Sequence, residues 1–370
     1  KNFAFIHMRE YNDLVLPGLK EATFINDADE LANATWLISQ DFFSHLAVHF
    51  PNLNTLRVCE QSSNSNLVLN ENTIVNLAKS YPQLQKLDLC YRGSSITMAR
   101  LSLLTSFNLL LMLRELSLSS CKTLDSATIR ELVEKNRLLE AINLDYSLCD
   151  DDALNAIVAV SGKRNILKRI SIKSCAKITE EGFNSFFAEM EDLEALNISK
   201  NYNVTEETVR TVVITSPGLK KLAISHASNT GNESLHVILT SLTELEKLTF
   251  SHMSEENGSV ITPDCFEGLG DRKFERLRSL NFSYHEYVEE TTVSSIVKKF
   301  PGLEKLKLNG CWKLKKSAIK ILAEGGFGRK LKVLGLQSIP EILFKNKKEV
   351  ENHFEPFTKL VHLEVDSLYT

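Results

Sequence analysis

The chain has 370 residues, 43% hydrophobic and 24% charged, with a formal net charge of −4. That balance excludes a disordered polar or strongly charged chain, and no run of about 18 apolar residues offers a membrane-spanning helix. Seven cysteines, an odd number without CxxC pairs, argue against a disulfide framework and a zinc site and fit reduced thiols in the cytoplasm or nucleus.

In chain order, residues 1–18 read as an N-terminal cap or truncated repeat. Residue 1 is Lys and no charged-then-apolar leader follows, so the start reads as trimmed or processed. At Leu19, PGLKEATF opens a weak copy of a unit LxxLxL. From Leu53 that unit recurs twelve times, anchored at Leu53, Leu84, Leu113, Leu139, Leu167, Leu193, Leu219, Leu245, Leu277, Leu303, Leu331 and Leu360, with anchors 26 to 32 residues apart. This is the period of a leucine-rich repeat.

Within one unit the apolar residues alternate, as in Leu167, Ile170 and Ile172 of LKRISI, which predicts a short strand. After a turn come apolar residues at i, i+3, i+4, as in Ile129, Leu132, Val133; Phe183, Phe186, Phe187; Val209, Val212, Val213; Leu235, Ile238, Leu239; Val293, Ile296, Val297; and Val350, His353, Phe354. That spacing marks one helix face. Each unit is therefore strand, turn, helix, turn. Stacked copies predict an α/β leucine-rich-repeat solenoid of about 12 to 13 repeats. In this horseshoe a parallel sheet lines a concave face roughly 55 Å long and helices cover the convex face. Residues 19–370 read as one domain. The acidic run Asp150, Asp151, Asp152 predicts a helix start. Irregular units follow Leu245 (SEENGSVITPD) and Leu331 (PEILFKNKKEVENHFEPF), where insertions can carry contacts. Of six Asn-x-Ser/Thr sequons, Asn197 and Asn281 fall in predicted strands, so the set reads as chance matches.

Eight residues after the anchor, three repeats carry Cys121, Cys175 and Cys311 and another Asn201, with turns CKTLD, CAKIT and CWKLK. This resembles the cysteine-containing leucine-rich repeats of F-box/LRR proteins, within the ribonuclease-inhibitor-like group. The resemblance covers nearly the whole chain and implies a turn residue that satisfies backbone groups, not a nucleophile. Other repeats depart from it, with Ser147, Ala227, Met253, His285 and Ile339 in the slot. The family's adaptor-binding F-box would precede the repeats; Leu14 to Ala22 contains a Leu-Pro but already phases as a repeat.

Positions two, four, six and seven after the anchor are expected to face the concave side. Candidate partner-binding residues there are Tyr91, Tyr146, Lys173, Lys200, His226, His252, Tyr284 and Lys307. His226, His252 and Tyr284 follow one another at position seven and would form a ladder of rings. The other concave positions are mostly Ser and Asn. Between Lys298 and Lys348, 14 Lys/Arg stand against three Glu, a net of +11, which predicts an acidic partner at a basic C-terminal edge carrying Trp312, Lys313, Lys315 and Lys316.

No GxSxG, HExxH, phosphate loop or Gly-rich dinucleotide turn occurs, so no catalytic residue, cofactor or metal is expected. The pattern favours protein recognition, as the substrate-recognition part of a ubiquitin-ligase-type complex whose cullin-ligase adaptor binds a segment not present here. The rival is a structural scaffold subunit of a large assembly. Nucleic acid and membrane are disfavoured as partners.

Overall fold

The computed structural model describes residues 3–7, 19–26, 42–60, 71–91, 112–120, 124–161, 166–227, 229–251, 261–266 and 268–366. It divides into two compact units, Lys1–Met190 and Glu191–Thr370. In the first, seven parallel strands run in chain order: β1 (Phe3–His7), β2 (Glu21–Asn26), β3 (Thr55–Glu60), β4 (Lys86–Tyr91), β5 (Glu115–Ser117), β6 (Ala141–Asn143) and β7 (Arg169–Ser171). In the second, seven more do the same: β8 (Ala195–Asn197), β9 (Lys221–Ser225), β10 (Lys247–Ser251), β11 (Ser279–Asn281), β12 (Lys305–Lys307), β13 (Val333–Leu336) and β14 (His362–Val365).

Every strand from β2 onward begins two residues after its anchor leucine, and strands pair first residue to first residue, as in Lys221↔Lys247 and Ser279↔Lys305. The reason lies one residue earlier. In eleven repeats among the described residues, all pairing within one unit, the carbonyl of the residue after the anchor accepts two amides from the following repeat. Glu140 O takes Lys168 N and Arg169 N at 2.8 and 3.0 Å, and Arg278 O takes Glu304 N and Lys305 N at 2.9 Å each. Residues 0, +3 and +5 from the anchor then turn inward: Leu193, Leu196 and Ile198, or Leu277, Leu280 and Phe282, are buried. Each such burial contributes about 1.5–3 kcal/mol, and a one-residue slip would turn the whole set outward.

The described helices are α1 (Phe42–His49), α2 (Glu71–Ser80), α3 (Ser126–Lys135), α4 (Asp151–Ser161), α5 (Glu180–Glu189), α6 (Glu206–Thr215), α7 (Asn232–Ser241), α8 (Glu290–Lys299), α9 (Ser317–Glu324) and α10 (Lys347–Phe354). All six predicted apolar triplets lie in them. Those of α3, α5, α6 and α7 are fully buried, while Val297 of α8 and Val350 and His353 of α10 are half-buried. Each repeat is thus a leucine-rich-repeat unit of an α/β solenoid. Helix starts are capped by Asp125, Thr179 and Asn346, whose side-chain oxygens accept from Thr128 N, Gly182 N and Glu349 N at 2.9 to 3.0 Å, each cap contributing about 1 kcal/mol. The acidic run does begin α4. Asp150 caps it through Ala153 N at 3.1 Å, while Asp151 reaches the next repeat and accepts from Thr179 N and Oγ1 at 2.9 and 2.8 Å.

Two features differ from the repeat pattern. Among its described residues the unit after Leu245 has a 3₁₀ turn, Pro263–Phe266, where other units have an α-helix; it buries Cys265 and Phe266 and sets the Phe266 ring edge-on to Phe300 at 5.7 Å. Strand β1 lies in a stretch without LxxLxL, where a lone apolar run gives no helix-or-strand signal. Phe186 and Phe187 of α5 are buried and meet edge-to-face at 5.1 Å. Phe187→Ala is expected to cost about 3–5 kcal/mol of unfolding free energy, measured by urea titration; a cost below about 1 kcal/mol would contradict its place in the core.

Candidate functional site

The eighth position after each anchor is buried wherever it is described, at Ser147, Cys175, Asn201, Ala227, His285, Cys311 and Ile339. In three repeats its side chain contacts one shared target, the carbonyl at +5 of the preceding repeat. Cys175 Sγ donates to Leu144 O and Cys311 Sγ to Phe282 O, both at 3.3 Å, and His285 Nε2 lies 2.8 Å from Phe250 O. The imidazole therefore does the work of the thiol; it stacks on Phe250 at a ring-centroid distance of 6.0 Å and meets Phe282 at a tilt at 4.4 Å. Asn201 Nδ2 donates within its own repeat, to Ile198 O at 3.0 Å. Burial pushes the Cys311 thiol up to about 12, and a hydrogen bond with Cys175, then burial, pushes the Cys149 thiol up. Neither is a nucleophile near neutral pH. Cys121 and Met253 lie outside the described residues.

At the seventh position the geometry differs from the expected sheet-facing column. Ser120, Tyr146, Ser174, Lys200, His226, Tyr284, Gly310 and Ser338 all adopt positive φ, between 54° and 66°, so they form a left-handed turn where the strand ends. Six of these amides, those of Ser120, Tyr146, Lys200, His226, Tyr284 and Gly310, continue the ladder by donating to the +6 carbonyl of the next repeat, as Tyr146 N does to Lys173 O and Tyr284 N to Asn309 O at 2.8 and 2.7 Å, while Ser338 N donates to Asp366 Oδ2 at 2.6 Å. Tyr91 closes β4, and His252 lies outside the described residues, so the three-ring ladder is not assembled among them. Tyr146 is exposed with Lys173 Nζ 5.3 Å from its ring centroid. Lys200 is exposed and His226 half-buried. Tyr284, 37% exposed, leans over the next turn, where a Cβ on Gly310 would collide with its ring. The column accepts Ser, Tyr, Lys and His in the same conformation, so the glycine at 310 is required by that ring and not by φ alone.

The Ser and Asn side chains of the sheet face are largely turned to the protein's own backbone. Asn143, Asn197 and Asn281 Oδ1 accept from Asp145 N, Ser199 N and Ser283 N at 2.9 to 3.3 Å. Asp145 and Asn309 Oδ1 accept from Lys173 N and Gln337 N of the next repeat at 2.8 and 2.9 Å. Burial pushes the Asp145 carboxyl up, against the Ser171 hydroxyl and the Lys173 amide that lower it. Lys307 is likewise committed. Its Nζ reaches Glu364 on β14 at 2.7 Å across Gly335 of β13, where a Cβ would come within 2.9 Å of Glu364 Oε2. Burial acts to raise the Glu364 carboxyl, but Lys307 and Asn309 outweigh it and hold it below its ordinary value.

At the C-terminal edge the four predicted residues separate. Lys316 forms an ion pair with Glu349 at 2.6 Å and sits 5.0 Å from the Phe344 ring centroid. The backbone amide of Lys315 donates to Glu290 Oε1 at 3.2 Å and its side chain is exposed. Lys313 Nζ lies 4.2 Å over the Tyr287 ring, and Trp312 and Tyr287 are 49% and 38% exposed. Tyr284, Tyr287, Trp312 and Lys313 thus belong to the exit turns of two consecutive repeats, and Tyr287, which sequence reasoning passed over, is marked by its place beside Lys313. Other basic side chains of this region serve helix ends. Lys330 Nζ donates to Pro301 O at 2.8 Å and Arg278 to Gly302 O at 3.1 Å, beyond the C-terminus of α8, where cations are favoured. With Lys332 and Lys359 they border a shallow cavity of about 350 Å³. Among the described residues no group of three or more His, Cys, Asp or Glu could hold a metal ion, and no helix is long and apolar enough to cross a membrane.

No family model and no curated protein matches the sequence. Among solved structures, the chain is similar to one of the Rad7–Elc1 complex from yeast, at 17% identity with a TM-score of 0.57, over 81% of this chain and 84% of that one. It is also similar to the leucine-rich repeat-containing protein LegL7 from Legionella pneumophila, at 11% identity and a TM-score of 0.46 over 89% and 99%. A third is a TLR13–ssRNA13 complex, at 15% identity and 0.44 over 95% and 50%.

His285→Ala removes both the ring and the partner of the Phe250 carbonyl and is expected to cost about 2–4 kcal/mol, whereas His285→Cys keeps a donor and is expected to cost less; equal losses in urea unfolding would contradict a shared role. Cys311 gives a pH dependence of definite sign. Its folded value of about 12 lies above the ordinary 9.0, so the folded state keeps a proton that the unfolded chain has lost. The corresponding stability is complete below about pH 9 and declines as pH rises towards 12. Cys311→Ala should flatten that decline by up to about 1.4 kcal/mol per pH unit; parallel profiles for the two proteins would contradict it.

Proposed function

We propose that this protein is a non-enzymatic recognition module that holds a protein partner, and that it serves as the substrate-recognition subunit of a ubiquitin-ligase-type complex in the cytoplasm or nucleus. The observation that carries the first part is the exposed patch of Tyr284, Tyr287, Trp312 and Lys313 on consecutive exit turns. Tryptophan and tyrosine are among the residues that carry most binding energy in protein interfaces, and here one tryptophan and two tyrosines stand partly in water, with Lys313 over the Tyr287 ring. The ligase assignment rests on the resemblance of the cysteine-type repeats. The similar fold of Rad7, solved together with a second protein, Elc1, supports a partner-holding role. In the first unit Tyr146 with Lys173 forms a second aromatic and basic pair, proposed with Tyr91 as a partner contact of that unit, and in the second unit Lys200, His226 and His252 are proposed as further partner contacts, with Lys307, Lys315 and Lys316 beside the patch.

The test is to tag the full-length open reading frame in its native cell and identify co-purifying proteins at moderate salt. A cullin-ligase adaptor with a changing set of substoichiometric clients is the expected result. A fixed, stoichiometric set of non-ligase subunits would replace the ligase reading by the structural scaffold. Within that experiment Trp312→Ala combined with Tyr284→Ala should reduce client recovery at least tenfold, since each hot-spot truncation costs about 2 kcal/mol or more. The melting temperature should stay within about 2 °C of wild type, because exposed substitutions change stability little; undiminished recovery would remove the patch from the interface.

A further inference from the structure

The charges of the two sheet faces are handled differently. In the first unit they are consumed internally: Glu115 on β5 takes Lys86 at 2.9 Å and, across Ala141, Arg169 at 2.8 Å, while Arg57 pairs with Asp88 at 2.7 Å. In the second unit the same column, two residues after the anchor, reads Ala195, Lys221, Lys247, Ser279, Lys305, Val333 and His362. Lys221, Lys247 and Lys305 are exposed, and among the described residues none of them forms an ion pair or a side-chain hydrogen bond. Lys221 and Lys247 stand directly opposite each other in register, about 4.8 Å apart, an arrangement of like charges that costs stability. The adjoining column, one residue after the anchor, alternates in sign: Glu194 is paired with Lys220 and Glu304 with Lys332, Glu304 also feels the charge of Lys305, and Glu246 lies between Lys220 and Arg278, so among the described residues no carboxylate is paired with Lys221 or Lys247. The next column on the same face is small from β8 to β11, with Asn197, Ala223, Thr249 and Asn281, and at β12 it holds Lys307, which is paired with Glu364.

Resting on the recognition reading above, we infer that the sheet face of the second unit takes an extended acidic segment of the protein partner, laid across the strands with its carboxylates on Lys221, Lys247 and Lys305. The three lysines span about three strand spacings, roughly 14 Å, which an extended chain covers in four to five residues with every second side chain on one side. The polar groups that could have bound a neutral peptide, Asn197, Asn281, Ser225 and Asn309, are already engaged within the protein. Uncompensated positive charge is therefore what this face has left to offer, and a carboxylate-bearing segment relieves the repulsion between Lys221 and Lys247.

The probe is a fluorescein-labelled octapeptide of alternating glutamate and serine, followed by anisotropy on the whole chain at about 50 mM salt, where the charges are weakly screened. Wild type should bind it, and the glutamine-for-glutamate peptide should bind at least tenfold more weakly. Lys221→Gln, Lys247→Gln and Lys305→Gln together should weaken binding at least tenfold. The same change at Lys320, Lys347 and Lys348 on the helices should leave it within about twofold. Because the three sheet lysines repel, their replacement should keep or raise the melting temperature at low salt, which excludes loss by unfolding. No binding by wild type, equal binding by the triple variant, or tighter binding of a single-stranded oligonucleotide of equal charge would overturn the inference. In the tagged-cell experiment, clients lost with Trp312→Ala and Tyr284→Ala but kept by the lysine variant would overturn this inference alone; clients kept by both would overturn the recognition reading as well.

Discussion

One backbone carbonyl per repeat sets everything else. In eleven repeats among the described residues, the residue after the anchor leucine accepts two amides from the next repeat, from Lys20 O with Asn54 N and Thr55 N to Lys332 O with Val361 N and His362 N. Because the acceptor is backbone, its side chain is free to vary: Lys20, Asn54, Gln85, Arg114, Glu140, Glu194, Lys220, Glu246, Arg278, Glu304 and Lys332 all do this work. The anchor leucine fixes the depth of that carbonyl by burial, and the fork fixes the register. Once the register is set, positions +3 and +5 have no alternative but the core.

The consequences for function are ones of subtraction. Positions 0, +3 and +5 are taken by packing, +8 by the carbonyl of the preceding repeat or by burial, and +4 and +6 largely by amides left when a three-residue strand gives way to a turn. What remains for a partner is the +2 column and the side chains thrown outward at the exit turn. Where a residue in those positions is also paired, as Lys307 is with Glu364 and Lys316 with Glu349, it too is removed from the interface. The surviving groups concentrate in the second unit: the lysines of β9, β10 and β12 along the strand starts, and Tyr284, Tyr287, Trp312 and Lys313 at the exits. A lysine held in a partly exposed ion pair, such as Lys307 with Glu364, and an exposed tryptophan two residues past a glycine thus have opposite meanings for binding.

The strands after the thirteen anchors were legible because LxxLxL encodes burial directly, and so were the helices, because two turns of i, i+3, i+4 leave little ambiguity. The cysteine slot was legible as a buried turn residue. That His285 fills it with the same bond was not, since a lone histidine in sequence carries no sign of the carbonyl it will meet. From Ser120 onward the described position-seven residues lie in a left-handed turn past the strand, and that turn is occupied by Ser, Tyr, Lys and His as well as Gly, so no residue preference betrays it. The committed lysines were hidden by sequence distance: Glu364 is 57 residues from Lys307, and Glu349 is 33 from Lys316. Strand β1 escaped because Phe3–His7 is too short and unpatterned to separate from a helix segment.

The central claim is that the partner lies on the sheet side and exit turns of the second unit, and lysine crosslinking of the endogenous assembly read by mass spectrometry tests it most directly. The account predicts intermolecular crosslinks at Lys200, Lys221, Lys247, Lys305, Lys313 and Lys315, with Lys320, Lys347 and Lys348 on the helices left unlinked. Crosslinks concentrated on those helix lysines, with the sheet-side lysines free, would contradict it.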